Sequence, residues 1–155
     1  MAAPLIHPNW ANSPEVITDG YSLEITAKDI EALRGAAALI PPETPVAITW
    51  LPGEDPEARV AAAVAVRQFG FEPMPHFSAR RIRSHAEFED YLRAVVDRAG
   101  VRRCFIVAGD PETPQGPFFD TSALIATGAF ERNGIKAIGV GGHPEGHPHM
   151  TAEKA

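Results

Sequence analysis

Short apolar runs alternate with longer stretches of helical periodicity along most of this chain, and that alternation restricts it to a parallel α/β architecture. "YSLEIT" (21–26) reads as a strand and "KDIEALRGAAALI" (28–40) as a helix. "PVAITW" (45–50) is a second strand. The helix after it opens with Asp55 as N-cap and Pro56 at its first position, and stops at Gly70. "FEPMPHF" (71–77) is a short third strand, weakened by two prolines. Ser84 and Glu87 form a capping-box pattern. Phe88, Tyr91, Leu92, Val95, Val96 and Ala99 follow at three- and four-residue steps, and Gly100 ends the run. "RRCFIVA" (102–108) is a nearly continuous apolar strand, the pattern of one covered on both faces. "DTSALIATGAFERNG" (120–134) is a fourth helix and "KAIGVGG" (136–142) a fifth strand.

Short connections in a β-α-β rhythm imply parallel strands with right-handed crossovers. Two architectures satisfy this: a complete five-stranded doubly wound domain, for which 155 residues is a sensible size, or the first part of a (β/α)8 barrel, which needs roughly 250 residues. The Pro- and Asn-containing stretch 1–20 reads as an irregular arm, and 21–155 as one α/β domain. No internal repeat beyond the βα rhythm and no low-complexity linker divides it.

Charge and composition exclude several classes. A net charge of −6 opposes nonspecific attraction to nucleic acid or an anionic membrane. "SARRIRSH" holds three arginines, a local group that reads as a solvated loop rather than a phosphate track. The single cysteine, Cys104, lies inside "CFIVA", so it reads as a small core residue and rules out an internal disulfide. The first residues lack a basic segment followed by an apolar core, and no run reaches transmembrane length, so a cytoplasmic, membrane-independent protein is expected.

The strand assignment arranges the polar residues. Glu24 falls near the end of the first strand, Thr49 and Trp50 at the end of the second, and His76 at the end of the third. Gly109 and Asp110 follow the fourth strand; His143, Glu145 and His147 follow the fifth. In either parallel architecture the carboxyl edge is where ligands bind. Any one of these residues has a structural explanation; five successive units with the same placement do not. "AGDPETPQGPF" is turn chemistry and not a phosphate P-loop, since no Gly-Lys-Ser/Thr follows. His143, His147 and His149 are zinc-ligand types, but Pro144 and Pro148 forbid the helix that would align positions four apart. No metal site is predicted; imidazoles and backbone amides lining a pocket for a flat, polar cofactor is the preferred reading.

Taken together, these landmarks resemble the methylenetetrahydrofolate reductases, flavin enzymes built on a (β/α)8 barrel. The resemblance covers about residues 21–150, which corresponds to about the first half of the family's catalytic domain. "HPEGHP" (143–148) is similar to the family's "YPE-x-HP" segment, and "AGDPETP" to its "RGDxP" loop. "SLEIT" resembles the first-strand "S-F-E-F" segment that holds the family's key glutamate, and "ITW" and "MPHFSAR" occupy the places of its second- and third-strand ends. The resemblance implies a barrel of which this chain covers about the first five strands. It implies that Glu24 is the general acid that assists opening of the bridging methylene ring, and that Asp110 lies near the flavin and the pterin. Thr49, His76, Gly109, His143 and His147 match flavin-contacting positions; Thr121 and Ser122 fall where the family touches the cofactor, and Trp50 sits beside such a position. Ala108 replaces the arginine before Gly-Asp, His143 replaces a tyrosine, and "EITAK" lacks the aromatic-Pro-Pro continuation, which together mark a divergent subgroup.

The reaction this implies is reduction of 5,10-methylenetetrahydrofolate to 5-methyltetrahydrofolate through FAD, with NADH or NADPH as reductant, in a homo-oligomer. Thr151 looks like a helix start with four residues after it, and about 100 further residues are expected by barrel size. Two other readings stay open at this point: an inactive flavin- or folate-binding half-barrel subunit, and a metal hydrolase using His76, His143 and His147.

Overall fold

The computed structural model describes residues 19–142. The N-terminal arm up to residue 18, His143, Glu145, His147, His149 and the helix start at Thr151 lie outside the described residues.

Five parallel strands form one sheet: β1 (Leu23–Ile25), β2 (Pro45–Ile48), β3 (Glu72–Ser78), β4 (Arg103–Val107) and β5 (Ala137–Val140). Their spatial order follows the chain order, β1-β2-β3-β4-β5, with no reversal. The crossovers are α1 (Ile30–Ala36) with a short 3-10 turn, α2 (Pro56–Gln68), α3 (His85–Ala99), and the short pair α4 (Thr121–Ile125) and α5 (Ala129–Arg132). No helix among the described residues is long and apolar enough to cross a membrane.

Local chemistry sets the helix ends. The Asp55 carboxylate accepts from the Glu57 N–H at 3.0 Å, with Pro56 at the first helical position of α2. The Ser84 hydroxyl accepts from the Glu87 N–H at 3.1 Å. The returning Glu87 carboxylate reaches the Arg83 N–H at 2.8 Å, one residue earlier than in the usual capping box. Gly100 closes α3 in the left-handed region at φ 61°. The helix expected over 120–134 is instead broken in two. Thr127 turns its hydroxyl back to the Leu124 carbonyl at 2.6 Å, and Gly128 then takes φ 65°, so the backbone leaves the helical path and restarts at Ala129.

Strand alternation separates two faces. Val46, Ile48, Phe77, Cys104 and Ile106 point to the side where α2 and α3 pack, and join Val60, Val66, Phe88, Leu92 and Val95 in one buried core. Phe77 lies at its centre, edge-on to Phe88 and Phe130 with centroids 5.9 and 5.2 Å away. The opposite face carries Glu24, Ala47 and Met74 in register across β1–β3, and His76, Phe105 and Gly139 across β3–β5. Of these, Met74, His76, Phe105 and Gly139 are half-buried, Glu24 is exposed, and none belongs to the buried core cluster.

Candidate functional site

The uncovered face brings an acid and an imidazole together across an intervening strand. His76 Nε2 on β3 lies 3.7 Å from Glu24 Oε2 on β1. In the register Glu24 pairs with Ala47 on β2 and Ala47 with Met74 on β3, so His76, two residues beyond Met74, meets Glu24 on a diagonal across β2. The exposures differ sharply: the Glu24 side chain is 62 % exposed and that of His76 only 12 %. Burial pushes the His76 imidazole below its usual range, and the Glu24 charge partly opposes that shift. Phe105 stacks beside His76, with ring centroids 5.1 Å apart and 30° between planes.

The ends of β3 and β4 meet at a close approach. Gly109 has φ 92°, and a Cβ there would stand 2.2 Å from the Ser78 hydroxyl oxygen. Only glycine satisfies both the backbone angle and the contact. Asp110 follows it and projects into solvent at 93 % exposure, where Arg81 meets its carboxylate at 2.9 Å. The Arg81 side chain is only 12 % exposed, so the buried partner orients the exposed one. Arg80 ties the same loop down by donating to the Phe119 carbonyl at 2.9 Å and the Pro111 carbonyl at 3.3 Å. The loop returns a bond from the Gln115 N–H to the Arg80 carbonyl at 2.8 Å. The arginine cluster is therefore solvated only at Arg83, which pairs with Glu87 on the surface.

Other expected site residues lie elsewhere. Thr49 caps the β1–β2 junction, with its N–H and hydroxyl both directed to the Ile25 carbonyl at 2.9 and 3.2 Å. Trp50 turns to the helix layer, where the fully buried Arg59 guanidinium lies over its ring at 3.7 Å from the centroid. Arg59 donates to the Glu54 carbonyl at 3.2 Å and approaches the Glu54 carboxylate at 3.5 Å. Tyr91 packs edge-on to Trp50, and burial pushes its hydroxyl up to about 12. A cleft of about 450 Å³ opens beside this group, between α2 and α3. Thr121 and Ser122 occupy the first turn of α4, which Asp120 caps through the Ala123 N–H. Cys104 is a core residue whose thiol burial pushes up to about 12, which keeps it protonated.

Of the expected site residues, Glu24 and His76 are brought into direct contact, and Gly109 and Asp110 share one loop. No family model matches the chain. Residue reading alone missed Phe105 and Arg81. Arg81 had a signal in "SARR" after a strand end, but Phe105 acquires meaning only from register.

Proposed function

We propose that this chain forms the flavin-binding part of a (β/α)8 barrel that reduces 5,10-methylenetetrahydrofolate to 5-methyltetrahydrofolate, with NADH or NADPH as reductant. Sequential strand order supports the barrel, because a doubly wound sheet reverses its order once. A barrel also faces one side of its sheet inward and covers the other with helices, the division seen between the two faces here.

The observation that carries the reaction is the contact of Glu24 with His76 on the uncovered face. The His76–Phe105 stack offers that face a flat ring surface for a planar cofactor. FAD, when bound, supplies hydride transfer between the nicotinamide and the folate. Glu24 is exposed enough to reach substrate, and serves as the acid that protonates the amine released when the bridging ring opens. His76 offers a buried imidazole edge, and Asp110, steadied by Arg81, places a carboxylate at the rim. Trp50 is engaged on the helix side and has no part in this proposal.

Absorbance near ~450 nm in the purified protein, bleached by NADH or NADPH in stopped flow, is the expected result. Glu24→Gln should abolish folate reduction and leave nicotinamide-driven bleaching largely intact. A protein that neither carries nor takes up FAD overturns the proposal, as does a Glu24→Gln variant with a wild-type folate rate.

A further inference from the structure

Resting on the reading of Glu24 as the acid, we infer that His76 reloads it: the imidazole hands a proton to the facing Glu24 carboxylate after each turnover. Two observations support this role. His76 Nε2 already faces Glu24 Oε2 at 3.7 Å, and reaching the hydrogen-bond range of about 2.7–3.0 Å needs movement only of the exposed Glu24 side chain. The imidazole cannot swing away, because Phe105 stacks on it and 88 % of its side chain surface is covered, the complement of its 12 % exposure.

Among the described residues the charged surroundings are simple. On the same face β2 presents the uncharged Ala47, β4 presents Phe105 with the exposed Arg103 two residues before it, and β5 presents Gly139 and Ala137. On β3 itself Glu72 is taken by Arg67 at 2.9 Å. Glu24 is the group whose charge acts on His76, opposing the effect of burial. A flat ligand laid over the pair removes water from it, and in a low-dielectric setting a neutral acid beside a neutral imidazole is favoured over the ion pair. Once solvent has protonated His76, ligand binding therefore favours passing that proton to the carboxylate.

The proton balance closes without a further reagent. The Glu24 O–H bond breaks as an N–H bond forms on the released amine, leaving a carboxylate. The His76 Nε2–H bond then breaks with its electron pair left on nitrogen, the Glu24 O–H bond re-forms, and solvent reprotonates the imidazole.

The test titrates the His76 imidazole by NMR in the full chain, with His76→Gln assigning its signal. Glu24→Gln, a substitution at an exposed side chain, should lower the His76 midpoint. In folate reduction with chemically pre-reduced flavin, repeated turnover by His76→Gln should fall about 10²-fold relative to that variant's own first turnover, with part of that loss restored by added imidazole. A His76 midpoint that ignores Glu24→Gln overturns the relay even in an active enzyme. A His76→Gln variant with wild-type repeated turnover also overturns it. If the midpoint shifts but wild-type protein reduces no folate, the reaction assignment fails and takes the relay with it, while the coupling of the two residues stands.

Discussion

Phe105 lies across Gly139: a Cβ built on the glycine would stand 2.5 Å from Phe105 Cδ2. The same ring stacks on His76 at 5.1 Å, and His76 faces Glu24 at 3.7 Å. A residue without a side chain on β5 thus sets an aromatic ring on β4, which sets an imidazole on β3, which meets a carboxylate on β1. The site is a row of side chains across the sheet, each placed by its neighbour.

Gly139→Ala should lift the Phe105 ring. Overpacking of this kind costs about 1–3 kcal/mol, read as a lower denaturant midpoint with an unchanged slope. The His76 NMR signals should shift with it, and Phe105→Leu in the same chain should recover part of the stability. Full stability with unmoved His76 signals would show that the glycine does not set the ring.

Stability should depend on pH through His76. Its folded value lies below the ordinary 6.5, so between the two values the unfolded chain binds more protons than the folded one. Folded stability therefore rises with pH through that window and levels off above 6.5. Urea unfolding at a series of pH values should show this slope, and His76→Gln should flatten it. Glu24→Gln should extend the slope to lower pH, because it removes the charge that favours imidazolium.

Ser78 and Gly109 should be coupled. The Ser78 hydroxyl oxygen is buried without a hydrogen-bond partner, so Ser78→Ala should be neutral or stabilising. Gly109→Ala meets both the 2.2 Å contact and a φ of 92°, and should cost more than about 1 kcal/mol. The double variant should cost less than the sum, because alanine at 78 removes the contact and leaves only the backbone strain. Strict additivity in a denaturant double-mutant cycle would refute the close approach.

Arg59→Ala should be among the most damaging single changes, at about 3–5 kcal/mol, because it leaves the Glu54 carboxylate buried without its cation and strips the packing from Trp50. Replacing both partners, Arg59→Met with Glu54→Gln, should be milder than Arg59→Ala alone. Thermal unfolding followed by tryptophan fluorescence distinguishes the two. A double variant as unstable as Arg59→Ala would mean that the cost lies in lost packing rather than in the stranded charge.

The amino-acid sequence by itself determined the elements and their ends. Asp55, Pro56, Ser84 and Gly100 act within a few residues of their own position, so capping and turn chemistry are legible locally. It also determined that Glu24 and His76 belong to strands, and that Cys104 belongs to the core. The break at Thr127–Gly128 was written in the chain as well, although the apolar periodicity around it concealed the signal. Tertiary structure alone decided which side chains meet. Trp50 was expected near the ligand, yet the buried Arg59 draws it to the helix layer. Arg81 was expected in solvent, yet it orients Asp110 across a loop of a different unit. Phe105 carries no chemistry of its own and gains its importance from standing opposite His76 in register. The reason is physical: caps and strand periodicity arise from interactions over one to four residues along the backbone. The approach of Glu24 to His76, by contrast, depends on strand register, on which face each residue takes, and on the size of a neighbour, none of which exists until the sheet has formed.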